Sequence, residues 1–320
     1  MIISKLNLYI FEAPFKQPIK TVKVNMHSRK VLIVGLVIDD KEYFSECNAF
    51  ETNWYHHETI ETVIKDIKII FERLKGKTIH QIEDIQQFLL PNSPNANACI
   101  DVCVYQAFHT QASVQIPIGQ TLNIGQTNII PNAKRIKLKM HSNVLSQVEN
   151  IRKVSNIPIV IDANGTLDQN HFSLLNTLSK YDILYFEEPF SKIRDYHKCH
   201  QHYPNVKLAI DESATSIEAI NQFEESISYA VIKYSRIGNV SQLLEQQLPL
   251  QCVAGGMYEY QLSKYFTAKL GEHFNTVPDV TPSGTYFTED YAKFTETIND
   301  EMALSFPNVQ KERLKLIIEK

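Results

Sequence analysis

This sequence predicts an α/β fold, a modified TIM barrel of the (β/α)7β type behind an N-terminal α+β capping domain, on three observations. The first is a set of short β-branched runs at a regular interval: Pro158–Asp162, Ile183–Glu187, Lys207–Asp211 and Tyr229–Lys233. Counted from Lys139, their terminal charges fall at 162, 187, 211 and 233, steps of 23, 25, 24 and 22 residues. Each step is the length of one strand, one helix and two short loops. The second observation is that the charge closes the strand, which places it at the C-terminal mouth where barrel sites lie. A doubly wound open sheet is the competing arrangement, but it would not need a charge after every strand. The third is that residues 1–94 lack the repeat and put strands before helices, the order of a separate α+β domain.

Within residues 1–94, Ile2–Phe11 and Lys30–Ile38 read as strands, and Asp39–Glu42 as a hairpin turn into Tyr43–Cys47. Helical patterns follow at His57–Leu74 and Thr78–Phe88. Two polar connections, Phe15–Met26 and Asn48–His56, are either surface loops or covers that close over the barrel mouth; the second holds the only tryptophan, Trp54. Pro91–Pro94 is the linker. The barrel domain, 95–285, opens with a helix through Ala96–Phe108 and a first strand at Ser113–Thr121, then the strand Arg135–Lys139 and the repeat. After Lys233 come Arg236, Gly238 and a cramped helical stretch, Val240–Gln247. Gln251–Met257 is a strand whose glycines allow either close approach of a ligand or a tight turn. A strand near Pro278–Thr281 closes the barrel, and residues 286–320 pack back on the capping domain.

The 320 residues carry a formal charge of −4 from 32 basic and 36 acidic side chains, with no basic stripe for nucleic acid. The N-terminus lacks the basic and apolar regions of a secretory signal, and no apolar run reaches membrane-spanning length, so a cytoplasmic protein is expected. Five cysteines, an odd count in a long chain, read as reduced thiols. Cys99 and Cys103 could share a helix face, but nothing completes a zinc set.

Residues two apart in a strand share a face, so Lys137 and Lys139 project together, roughly 7 Å apart. Their mutual repulsion would lower a pKa and make a base. Asp162, Glu187 and Asp211, from three successive strands, bring three carboxylates to one mouth; oxygen ligands without His or Cys suit Mg2+ or Mn2+. Lysines before and after the acids stand on opposite walls. Such a site removes a proton next to the carboxylate of a small-molecule substrate.

At these positions the chain resembles the enolase superfamily, muconate-lactonising-enzyme subgroup: Lys137-x-Lys139, Asp162-Ala-Asn164, Glu187-Glu188-Pro189, Asp211-Glu212-Ser213 and Lys233. Ser45–Phe50, Gly255–Tyr260 and Asp279–Pro282 are similar to a branch of it that dehydrates a succinyl-cyclohexadiene carboxylate in menaquinone synthesis. The resemblance implies Mg2+ on Asp162, Glu187 and Asp211, with Glu188 and Glu212 beside them pointing elsewhere. It implies Lys139 as the base, Lys137 as support for that base and for the substrate carboxylate, and Lys233 as the opposing cation. Asn164, Gly256 and Met257 fall among the residues around the substrate, and Asn48 and Trp54 in the lid. Arg236 is either a second cation beside Lys233 or a solvated surface arginine. Tyr234, Ser235, Asn239 and Gln261 depart from the family pattern, and the helices near 120–133 and 240–250 are short. An isomerase acting on N-acylamino acids or dipeptides shares this lysine and acid set; a barrel that has lost catalysis does not.

Overall fold

The computed structural model describes residues 1–21, 23–245, 248 and 250–320. The chain opens on β1 (Ile3–Lys20) and β2 (Asn25–Ile38), which pair antiparallel, followed by β3 (Lys41–Glu46) on the far side of β2. The connection expected over Phe15–Met26 is therefore mostly strand; residue 22, inside it, lies outside the described residues. The ladder shifts register between Pro14 and Ile19, where prolines 14 and 18 lack a backbone donor.

Helix α1 (Ile60–Leu74) starts later than expected because Thr59 is its N-cap, with Thr62 closing a capping box. Its buried residues, Ile60, Val63, Ile67, Ile70, Phe71 and Leu74, form one stripe against the sheet. The second expected helix is a 3-10 stretch, Ile82–Phe88. Pro94 occupies the first turn of α2 (Pro94–Phe108), where its missing N–H costs nothing. This helix is apolar nearly all round, and it packs against β2 and β3 on one side and the barrel on the other.

The barrel strands are β4 (Val114–Leu122), β5 (Ala133–Lys139), β6 (Ile159–Asp162), β7 (Ile183–Glu187), β8 (Leu208–Ile210), β9 (Tyr229–Ile232) and β10 (Gln251–Ala254), each parallel to the next. Between them lie α3 (Val144–Arg152), α4 (Phe172–Leu178), α5 (Ile193–His202), α6 (Ile217–Asn221), α7 (Tyr234–Ile237) and α8 (Val240–Glu245); α9 (Gln261–Phe274) follows β10. No regular helix joins β4 to β5, and α8 ends at Glu245, residues 246 and 247 of the expected stretch lying outside the described residues. The closing strand is reduced to a parallel bridge, Gly255 to Asp279.

The tail adds β11 (Ala292–Lys293), β12 (Glu296–Ile298), β13 (Glu301–Leu304), β14 (Asn308–Val309) and β15 (Lys315–Glu319). It is divided among three pairings: β15 pairs with β1, β13 pairs with β4 and extends the barrel sheet, and β11 pairs with β14. All five cysteines are buried and unbridged. Among the described residues, no helix is long and apolar enough to cross a membrane.

Candidate active site

The charges converge because the strand period is two. Val160, Tyr185, Ala209, Tyr229, Val231 and Val253 point into the barrel and form its interior cluster. Two residues beyond four of them stand Asp162, Glu187, Asp211 and Lys233, on the same inward face and at the C-terminal mouth. On β5 that face carries Arg135, Lys137 and Lys139, whose side chains are 3%, 14% and 53% exposed, a column of cations rising from the interior to the rim.

Each member of the column meets at least one acid, and neighbours share them. Arg135 pairs with Asp279 and donates to the Val277 carbonyl at 2.6 Å. Lys137 is bridged between Glu187 Oε1 at 2.7 Å and Asp279 Oδ2 at 2.8 Å, with Asp162 at 3.7 Å. Lys139 donates to Asp162 at 2.5 Å and to Asn164 Oδ1. Burial pulls the Lys137 pKa down, but Asp279, Glu187 and Asp162 outweigh it and the net shift is well upward. The carboxylates in contact with Lys137 therefore decide its charge state, rather than the like-charged lysine two residues away. Lys137 is thus already paired with carboxylates in this structure.

The opposite wall is enclosed. Lys233 is buried and pairs with Asp211. Arg236, also buried, donates to the Asp211 carbonyl at 2.6 Å, to Asp211 Oδ1 at 3.2 Å and to the Tyr55 hydroxyl, so it is no surface arginine. Burial lowers the pKa of Lys233, Asp211 raises it, and the net is upward. Asp211 is lifted by burial and drawn down further by Lys233 and Arg236, ending below the usual carboxylate range. Glu188, with φ +38°, accepts from the Asp211 and Ser213 backbones at 2.6 and 3.3 Å and fixes that turn. Glu212 is exposed and accepts from Asn164 Nδ2 at 3.3 Å.

Whether Asp162, Glu187 and Asp211 fit a divalent cation turns on Glu187. Its Oε2 is buried with no hydrogen-bond partner. Burial pushes its pKa up to about 8; Lys137 opposes the rise, while Asp162, Asp279 and Asp211 add to it. An orphaned buried carboxylate oxygen is costly unless something takes it, and an all-oxygen donor set suits Mg2+ or Mn2+. The three acids therefore fit the cation. Among the described residues, the His/Cys/Asp/Glu trio whose ligand atoms all lie within 4.8 Å of one another is instead His56, His57 and Glu58. That Glu58 carboxylate is committed to the Asn95 backbone and side chain, and Arg236 stands near His56 and helps lower its pKa to about 4, after burial and His57. The oxygens of Asp162, Glu187 and Asp211 do not meet that mutual distance.

The segment 47–56 covers the Lys233 wall. Asn48 Oδ1 accepts from Ser263 Oγ at 2.9 Å, and Arg29 donates to the Asn48 and Ala49 carbonyls at 3.2 and 3.0 Å. Trp54 packs on Phe50 and Tyr55, with ring centroids at 4.9 and 5.4 Å, and faces a groove beside Met26 and Arg29 rather than the mouth. Tyr55 is the aromatic over the site, its ring 6.0 Å from Lys233 Nζ and 5.1 Å from the Arg236 guanidinium. A small cavity beneath it is lined by Asn48, Tyr55, His56, Lys233, Arg236 and Met257, among others. The glycines serve packing: a Cβ on Gly255 would meet Val231 at 2.7 Å, and one on Gly256 would meet the Asp279 carbonyl at 3.2 Å.

Sequence reasoning missed Tyr55, Arg135 and Asp279 as site residues. Asp279 carried a signal, since it lies 24 residues after Gly255 and continues the interval of the repeat. Tyr55 carried none beyond its place beside the tryptophan.

A barrel with acids on three successive strands and lysines on both walls has the enolase-superfamily fold, and residues 130–247 match the family described as Enolase C-terminal domain-like. A solved enolase-superfamily member from Listeria innocua superimposes with a TM-score of 0.83 at 21% identity, covering 100% of this chain and 98% of that one. The resemblance read from the motifs extends along the chain. A curated relative from Listeria innocua named o-succinylbenzoate synthase is 26% identical, over 91% of this chain and 87% of the relative. One of the same name from Bacillus subtilis is 24% identical, over 90% and 87%. A superfamily member from Roseovarius nubinhibens, solved in complex with magnesium, superimposes at a TM-score of 0.78 and 11% identity, over 99% of each chain. The relatives' names are those of an enzyme, as the motifs led one to expect.

Proposed function

We propose that this chain is an o-succinylbenzoate synthase, a carbon–oxygen lyase that dehydrates 2-succinyl-6-hydroxy-2,4-cyclohexadiene-1-carboxylate to 2-succinylbenzoate and water in menaquinone synthesis. One observation carries the reading: Lys139 and Lys233 stand on opposite walls of one mouth with Asp162, Glu187 and Asp211 between them. The shared name of the full-length relatives supports it.

Asp162, Glu187 and Asp211 would hold Mg2+, which when bound supplies positive charge to the substrate carboxylate and makes its α-proton more acidic. Lys139, at the open rim, reaches that proton and takes it as a neutral amine. The electrons left behind give an enediolate, a dianion that needs cations on its far side. Lys233 would supply one, held charged by Asp211, whose carboxylate Arg236 also grips, and covered by the Tyr55 ring. Lys139 then returns its proton to the departing ring hydroxyl. Proton and hydroxide thus leave from one face, and the ring becomes aromatic.

The same pair of lysines supports a second reading, racemisation of N-acylamino acids or epimerisation of dipeptides, because protonation from the Lys233 side inverts the carbon. NMR of the product separates the two. Water loss to 2-succinylbenzoate is expected; α-proton exchange of N-succinylamino acids in D2O with no dehydration would move the assignment to the isomerase.

A further inference from the structure

Asp279 lies outside the three-acid set yet reaches into it. It sits in the short segment that closes the barrel, and its N–H donates to the Ala254 carbonyl at 2.8 Å. One of its carboxylate oxygens takes the Arg135 guanidinium, the other the Lys137 ammonium at 2.8 Å. Arg135 also grips the Val277 carbonyl, so the segment is pinned from inside the barrel. Lys137 therefore stands between two acceptors at almost the same distance, Glu187 at 2.7 Å and Asp279 at 2.8 Å. Only Glu187 belongs to the set that fits a divalent cation.

A divalent cation and an ammonium group on the same carboxylate repel each other, and a largely enclosed ammonium that loses a contacting carboxylate is costly. We propose that Asp279 is a positioning residue that retains the Lys137 ammonium when a divalent cation takes Glu187, so that the internal cation does not compete with the external one. Arg135 keeps the Asp279 carboxylate aimed at Lys137 and offsets its charge. The inference rests on the reading of Asp162, Glu187 and Asp211 as cation donors.

The experiment is Mn2+ affinity of the full chain without substrate, read by electron paramagnetic resonance, so it does not depend on any reaction. Asp279→Asn should bind Mn2+ about ten- to a hundredfold more weakly than wild type. In a Lys137→Met background the same change should cost less than about threefold, since the competitor is gone. Unchanged affinity in Asp279→Asn overturns the proposal, and so does an equal loss in the Lys137→Met background, which would mean that Asp279 acts by bulk charge or through the fold. Should Asp279→Asn fail to fold, Arg135→Lys keeps the charge and loses the fork; a several-fold loss is expected, and unchanged affinity overturns the proposal. Wild-type protein that binds no Mn2+ would overturn the cation reading together with this one. Normal wild-type affinity beside unaffected variants overturns this one alone.

Discussion

The two walls of the mouth carry the same kind of ion pair in opposite surroundings. Lys139 is half exposed and holds Asp162 and Asn164 at the rim, whereas Lys233 is buried beneath Tyr55, with Arg236 sharing its acid. A base has to shed its proton and move to reach a substrate; a fixed cation must do neither. The exposed wall suits the first task, and the enclosed wall, where Asp211 raises the Lys233 pKa against burial, suits the second.

Chelation should erase the difference altogether, because in the proposed reaction both walls act on a substrate carboxylate held at the three acids. Excess chelator is expected to lower dehydration by a thousandfold or more, an order-of-magnitude figure for lost charge stabilisation, and added Mg2+ to restore it. Persistent turnover in chelator would break the account of the acids.

Lys233→Arg sharpens the comparison. A cation remains but a proton donor and acceptor does not, so dehydration should fall by about tenfold while any racemisation of N-succinylamino acids disappears. Equal losses in both assays would contradict a purely electrostatic Lys233. Tyr55→Phe removes the hydroxyl that Arg236 grips and leaves the ring in place. The loss of one hydrogen bond of about 1 kcal/mol, already made in the free protein, should lower thermal stability slightly, and the loosened Arg236 should lower kcat/KM several-fold; Trp54→Ala, facing away from the mouth, should lower stability and leave KM unaltered.

The smallest effect concerns acidity behind the enclosed wall. Glu259 lines the cavity under Tyr55, and burial pushes its carboxyl up to about 7; Asp290, near α9, is likewise raised to about 7, chiefly by burial. Both carboxyls bind their proton more tightly in the folded state than in the unfolded one. Stability should therefore fall as pH rises from the unfolded carboxylate range through 7, by about 1 kcal/mol per group between pH 6 and 8. Thermal melts of wild type and Glu259→Gln check this, and an identical pH slope in the two would remove Glu259 from the cause.

The fold was legible because period and charge agree. Each strand of the repeat ends on, or one residue before, the charge that announced it, and the inward parity of Val160, Tyr185, Ala209 and Val231 aims those charges into the mouth. The hairpin of β1 and β2 was less legible, since its prolines and polar residues read as a loop while the ladder only shifts register past them. The site's side-chain types could be read from spacing, but their partners could not. A strand was expected around Asp279, but not that its carboxylate would bridge Arg135 and Lys137; Tyr55 comes from an irregular loop, and the two largest contributions that raise the Lys137 pKa, from Asp279 and Glu187, come from distant parts of the sequence. Long-range pairing of this kind leaves no local signal.

The division of labour between the walls is tested most directly by Lys139→Ala, assayed for turnover of the succinyl-cyclohexadiene carboxylate alongside Mn2+ affinity and thermal stability. Turnover lower by about a thousandfold or more, with Mn2+ binding and stability retained, is the predicted result. Turnover near that of wild type would contradict it and take the base away from the open wall.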